Sequence, residues 1–354
     1  MAAPQKIKVG ISIGDLNGIG TEIILKTFSD GRMLDFCTPV IFGSVKLLSY
    51  VKKELGIEVG LQGVDSPEKA IAKKVNVVNA WKEPVAISLG SEDPSLGKYA
   101  VRSLEAAVNA LKQDKIDVLV TAPIDKSNVQ SESFQFPGHT DYLAQELEGN
   151  SLMLMISNSL RVGLLTDHVA VKEVSDAITP GLIKDKVNSM KQSLIRDFGL
   201  IKPKIALLGI NPHTGDNGVI GTEDDEVVRP TLEEIRQEGT LVFGPYAADS
   251  FFGSGNYKNF DAILAAYHDQ GLIPFKTLSF GRGVNFTAGL SRIRTSPDHG
   301  TAFDLAGKGE ASAESFKEAV FAAIKIHRKR AEYQEISANP LKTGRKRPTT
   351  KKKS

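Results

Sequence analysis

The sequence predicts a mainly parallel α/β fold of two intimately joined lobes, on three observations. Short β-branched or aliphatic runs alternate with longer segments of helical period, the pattern of a sheet covered by helices. At 354 residues the chain exceeds what one hydrophobic core usually supports. No Pro/Gly/Ser-rich linker divides it, so the chain is expected to cross between the lobes more than once.

In order, IKVGISI reads as the first buried strand, GDLNGIG as a turn, and TEIILKTF as a helix with Thr21 near its start. PVIFG, VNVVNA and DVLVTAP read as further strands. LGKYAVRSLEAAVNALKQ is a long helix with Ala100, Leu104, Ala107 and Leu111 on one face. SLMLMIS and RVGLLT form a strand pair turning at Asn158 and Ser159. GLIKDKVNSMKQSLIRDFG is a helix ending near Gly199, and PKIALLGI is a strand. DDEVVRPTLEEIRQEG reads as helix, FDAILAAY as strand, and ESFKEAVFAAIKIHRKRAEY as the closing helix. Residues 1–335 then make a single unit of two interwoven lobes, and 336–354 a basic tail expected to be disordered.

Composition narrows the function classes. A hydrophobic fraction of 41% and a charged fraction of 24% are those of an ordinary globular protein. No stretch approaches the roughly 20 apolar residues of a membrane helix, and the opening MAAPQKIKVG has no secretory pattern, so a cytoplasmic location is expected. The single cysteine, Cys37, excludes an internal disulfide and reads as a buried filler. The net charge of +2 hides a tail with seven basic residues and no acid; without it the body carries 37 basic and 42 acidic residues. That tail lacks the interleaved aromatics that stack on bases, and a nucleic-acid role is not expected.

Chemistry points to the histidines. His168 follows RVGLLTD, His213 follows KIALLGINP and His268 follows AILAAY, so all three fall just after strands. Open α/β sheets place ligands at the carboxyl ends of strands. If these strands lie side by side, or meet across a subunit boundary, the imidazoles converge as a divalent-metal site with an open position for substrate. Asp167, Asp249 and Asp269 are nearby acids that either orient imidazoles or serve as turn residues. Past His268 come Lys276, GRGVN with Asn285, and Arg292-Ile293-Arg294. Two arginines two apart on a strand would face the same way, and the cluster suits an acidic or phosphorylated substrate. The loop from Gly14 to Gly20 reads either as an anion-binding helix entry or as a tight turn; it lacks the GxGxxG pattern, so no Rossmann dinucleotide site is expected. His327, among basic residues of the closing helix, reads as a surface residue.

FPGHTDYLAQEL, GINPHTGDNG, AAYHDQGLIPFK and FGRGVNFTAGLSRIRTSPDHGTAFDLAGKG, with the opening GISIGDLNGIGTEI and LVTAPIDK, resemble the signature segments of the 4-hydroxythreonine-4-phosphate dehydrogenase family over nearly the whole chain. The resemblance implies a fold similar to the isocitrate and isopropylmalate dehydrogenases, and a homodimer whose active site is shared across the interface. It implies His168, His213 and His268 as metal ligands, one from the partner subunit, with zinc expected and magnesium or cobalt as alternatives. Substrate contacts would be His139, Thr140, Lys276, Asn285 and Arg294. His139, Lys276, Asp249 and Asp269 stand as candidates for proton transfer, and NAD, with NADP open, as cofactor. The implied reaction is oxidation of 4-phosphohydroxy-L-threonine followed by decarboxylation, in vitamin B6 synthesis. Leu16, Asn17 and Thr21 depart from the family's usual opening turn. Two alternatives remain: a dehydrogenase of a four-carbon sugar-acid phosphate such as threonate or erythronate 4-phosphate, and a metal-dependent phosphohydrolase.

Overall fold

A computed structural model describes residues 6–130, 134–136, 138–279 and 281–339. The strands are β1 (Lys8–Ser12), β2 (Thr38–Gly43), β3 (Leu61–Val64), β4 (Val75–Asn79), β5 (Val118–Thr121), β6 (Gly149–Ile156), β7 (Arg161–Leu164), β8 (Ile205–Leu208), β9 (Val242–Tyr246), β10 (Ala262–Ala265), β11 (Val284–Leu290) and β12 (Arg294–Pro297). The helices are α1 (Gly20–Ser29), α2 (Met33–Phe36), α3 (Val45–Glu54), α4 (Gly97–Lys112), α5 (His139–Glu146), α6 (Val174–Ala177), α7 (Pro180–Arg196), α8 (Arg229–Gln237), α9 (Ala248–Gly253), α10 (His268–Leu278) and α11 (Glu314–Ala338). α11 carries helix past residue 336, where the sequence places the start of the tail; residues 340–354 lie outside the described residues.

All these strands join one sheet in the order β3-β4-β2-β1-β5-β12-β11-β6-β7-β10-β8-β9. The pairs are parallel except β6 with β7, β6 with β11, and β11 with β12. The sheet therefore has two parallel wings of opposite direction, and its centre is filled late, when β11 and β12 return between β5 and β6. The expected strand pair SLMLMIS/RVGLLT is the β6–β7 hairpin. The helix read over DDEVVRPTLEEIRQEG begins with a widened i→i+5 turn at Asp224–Val228 before α8.

Alternation along the strands divides the apolar residues by face. Ile11, Val120, Leu154, Phe286 and Leu207 belong to one continuous core with α1, α7 and α11. On the other face the aliphatic residues form two separate clusters. Phe42 and Leu119 pack with Leu104 and Leu111 of α4 and Leu143 of α5; Met155, Val162, Ala206 and Ile263 pack with Phe251 of α9 and Phe275 of α10. Between the clusters the central strands turn polar side chains outward on that face: Arg294 and Ser296 on β12, Asn285 and Thr287 on β11. That interruption of the core is where the sheet opens.

Two sequence expectations resolve here. Arg292 precedes β12 and pairs with Asp114 at the surface, whereas Arg294 is 2% exposed on the strand, so the two arginines do not share a face. The Gly14–Gly20 loop is a tight turn. Its Asp15 and Ile19 amides donate to the carbonyls of Pro123 and Thr301 at 2.9 Å, and the Asn17 amide to Asp15 at 3.0 Å, which leaves those donors none for an anion. Gly14, at φ +73°, has no room for a Cβ, which would lie 2.2 Å from the Pro123 carbonyl oxygen. Asn17, at one of the departures from the family pattern, also donates to Ser91 O at 2.8 Å and accepts from the Ser88 amide at 2.9 Å. Cys37 is buried, and burial pushes its thiol up to about 12.

Candidate active site

A cavity of about 250 Å³ occupies the gap between the two smaller clusters. Its floor is Met153 and Met155 of β6, Asn285 of β11, and Arg294 and Ser296 of β12; its walls include Lys126, His139 and Thr140 on one side and His168, His268 and Lys276 on the other. Seven of the sequence-predicted residues therefore meet in one place: His139, Thr140, His168, His268, Lys276, Asn285 and Arg294.

The cavity is built to receive negative charge. Arg294 is buried on the strand, and its guanidinium donates to Thr121 Oγ1 from Nε (3.0 Å) and Nη2 (2.7 Å) and to Thr287 Oγ1 from Nη1 (3.2 Å). Among the described residues no carboxylate pairs with it, and burial pulls its pKa down to about 9. A buried cation held by neutral hydroxyls favours any anion that enters. His139 opens α5 beside it; burial first, then the charges of Arg294 and Lys126, hold its pKa well below the ordinary 6.5, so the imidazole is neutral. His139 Nε2, Asn285 Oδ1 and His299 Nε2 are buried without hydrogen-bond partners among the described residues. All three residues line the cavity, and such orphaned atoms are what a ligand satisfies.

The three strands preceding His168, His268 and His213 are β7, β10 and β8, which are adjacent and parallel. Side-chain bonds tie their ends together. Thr166 Oγ1 donates to Ala266 O at 2.7 Å. Gln270 Nε2 donates to Gly209 O, and Gln270 Oε1 accepts from the Ala266 amide, both at 2.7 Å. His168 Nε2 lies 3.3 Å from Lys126 Nζ, and His268 Nδ1 lies 2.7 Å from Asp269 Oδ1, an arrangement that leaves His268 Nε2 free to ligate.

The expected metal triad does not assemble within one chain. His213 does not line the cavity, and among the described residues no group of three His, Cys, Asp or Glu side chains could hold a metal ion. His213 sits in a loop where His213, Thr214, Asp216 and Asn217 all have left-handed φ, from 45° to 56°, a conformation that costs energy for each non-glycine residue. Buried Asp224 anchors the loop's entry by accepting from the Ile210 and Asn211 amides at 3.0 and 2.9 Å. Asp249, on α9, and Asp269 also lie outside the cavity lining. His327 is half-buried on α11, across the sheet.

Sequence reasoning missed Lys126, Thr121, Thr287 and Gln270. All four lie inside segments that carry the family resemblance, Thr121 and Lys126 in LVTAPIDK, Gln270 in AAYHDQGLIPFK and Thr287 in FGRGVNFTAGLS, but nothing local says which of those side chains meet the other site residues.

The family described as pyridoxal phosphate biosynthetic protein PdxA matches residues 35–323. The 4-hydroxythreonine-4-phosphate dehydrogenase of Bacteroides thetaiotaomicron is 47% identical over 340 residues, 96% of this chain and 93% of that protein. The D-threonate 4-phosphate dehydrogenase of Cupriavidus necator is 36% identical, covering 91% of this chain and 98% of its own. A solved 4-hydroxythreonine-4-phosphate dehydrogenase from Klebsiella pneumoniae superposes with a TM-score of 0.79 at 31% identity, over 92% of this chain and 99% of that one.

Proposed function

From the premise that the chain belongs to the PdxA family of pyridoxal phosphate biosynthetic proteins, we propose that it oxidises 4-phosphohydroxy-L-threonine with NAD and a divalent metal. The product, 2-amino-3-oxo-4-phosphooxybutanoate, loses carbon dioxide to leave 3-amino-1-hydroxyacetone 1-phosphate for pyridoxine 5'-phosphate synthesis. The observation that carries this reading is Arg294, a buried guanidinium without a carboxylate partner at the floor of a cavity that also gathers His139, His168, His268 and Lys276.

In this reading the phosphate lies against Arg294, His139, Thr140 and Asn285. Neutral His139 offers Nε2 for a hydrogen bond without competing for the phosphate's protons. A bound nicotinamide would supply the acceptor for the hydride from C3, and the hydroxyl proton would pass to a side chain; of the four sequence candidates, Lys276 and His139 line the cavity and Asp249 and Asp269 do not. Lys276 is the acceptor we propose, taking the proton on its uncharged amine to become the ammonium, because His139 sits among cations that make it a weak base. The metal, zinc by preference for imidazole, would be held by His168 and His268 and would polarise the carbinol oxygen and the ketone that replaces it. A second copy of the chain would supply His213. Exposed Val171 (77%), Val219 (81%) and Ile273 (64%), beside the three histidines in sequence, suit burial against such a copy.

Mixing His213→Ala and His268→Ala chains tests the shared site. Neither homodimer would turn over, but mixed dimers would hold one complete site, restoring about a quarter of wild-type activity; no recovery would refute a partner-supplied His213. The Cupriavidus relative motivates a second substrate, D-threonate 4-phosphate. Cofactor reduction measured with the amino acid and with the sugar acid side by side distinguishes the two, and phosphate release without reduction would favour a phosphohydrolase.

A further inference from the structure

A second cavity, of about 130 Å³, lies on the opposite face of the central strands, between β6, β11 and α11. Met155 and Asn285 face the candidate active site, while their strand neighbours Ile156 and Val284 line this one, so a single layer of sheet separates the two. Three cations converge on it: Arg161 from the start of β7, Arg282 from the segment before β11, and Lys325 from α11.

None of the three is paired with a carboxylate among the described residues. Asp197, which also borders the cavity, is committed to Arg196 Nε at 2.8 Å and Arg330 Nε at 2.6 Å, leaving Glu318 as the only uncommitted acid among the described residues that line it. Arg161 Nε is buried without a hydrogen-bond partner among the described residues, and its guanidinium lies 4.6 Å from the Phe198 ring centroid, with Nη1 on Asp261 O at 3.0 Å. Phe198 and Phe321 supply apolar wall, Phe321 still 36% exposed. An unsatisfied guanidinium donor, two further cations and aromatic surface in one recess specify a ligand with a charged end and a flat end.

We propose that this recess is a second ligand site, taking a small carboxylate or phosphate monoester carried on a flat apolar body. The anion binds Arg161, Arg282 and Lys325, and the body packs on Phe198 and Phe321. Because Arg282 and Asn285 lie on one short segment, an anion here also tethers the stretch that leads into the active-site floor.

Calorimetric titration of the full chain with phenyl phosphate tests this. Two sites per chain are expected in the wild type: one lost in Arg294→Gln, the other lost or weakened about tenfold in Arg161→Gln/Lys325→Gln. A single site that disappears with Arg294→Gln alone would overturn the proposal, as would unchanged two-site binding in the double variant. Should Arg161→Gln not fold, Lys325→Gln and Arg282→Gln alter exposed side chains only; either must weaken the second event and spare the first, and no change in both would equally overturn it.

Discussion

Thr121 Oγ1 accepts two hydrogen bonds from the Arg294 guanidinium, from Nε at 3.0 Å and from Nη2 at 2.7 Å. A β-strand hydroxyl thus aims the guanidinium at the cavity floor, and the pair yields two expectations. Arg294→Gln should raise KM for the phosphorylated substrate about tenfold or more with a smaller effect on kcat. Thr121→Val, which strips acceptors from a buried cation, should cost about 1–3 kcal/mol in urea unfolding. Normal substrate affinity in the arginine variant would remove Arg294 from the phosphate site.

The same burial sets a pH limit. With its pKa drawn down to about 9, Arg294 is charged at neutral pH and loses its proton as the pH rises past that value. KM should therefore hold through neutral pH and climb above about 9, and Arg294→Gln should abolish that climb. Steady-state kinetics across this range is the check.

His139 works in the opposite range. Its folded pKa lies well below the unfolded 6.5, so the folded state excludes a proton that the unfolded chain takes up. Stability from the neutral ring is complete above pH 6.5 and is lost as the pH falls below it, with a slope approaching about 1.4 kcal/mol per pH unit. His139→Gln should flatten this acid-side loss in denaturant midpoints between pH 5 and 7; an unchanged slope would mean that the ring is not buried neutral.

Asp269 holds His268 Nδ1 at 2.7 Å. If His268 ligates a metal through Nε2, Asp269→Ala should weaken zinc or cobalt binding about 10–100-fold while unfolding stays near wild type, since the carboxylate is exposed. Direct metal titration decides, and equal affinity would argue against the ligand.

Gln270 bridges Ala266 and Gly209, one residue each from the ends of β10 and β8. Gln270→Leu leaves a buried-side amide and carbonyl unpaired and should cost about 1–3 kcal/mol. It should also reduce metal affinity, because two of the histidine-bearing turns lose their common tie. Loss of stability without loss of affinity would make the bridge structural only.

Much of this was legible in the chain. Continuous β-branched or aliphatic runs located the strands at 8–12, 38–43, 118–121 and 205–208, which are buried on both faces, and an apolar face repeating at 3.6 residues located the helices at 97–112 and 180–196. The positions of His168, His213 and His268 after strands, and the cation-rich stretch around Arg294, are local signals too. What stayed hidden depends on pairing between distant segments. That β7, β10 and β8 are neighbours follows from hydrogen bonds between residues 57 to 101 positions apart. Whether Arg292 or Arg294 points into the cavity turns on where β12 begins, a matter of register against β5. Sequence by itself determined the element types, the family and the residue chemistry. The tertiary structure alone decided that Arg294 is buried against Thr121 and Thr287, that Lys126 meets His168, and that His213 stands outside the cavity, because those depend on the late return of β11 and β12 to the centre of the sheet and on no local pattern.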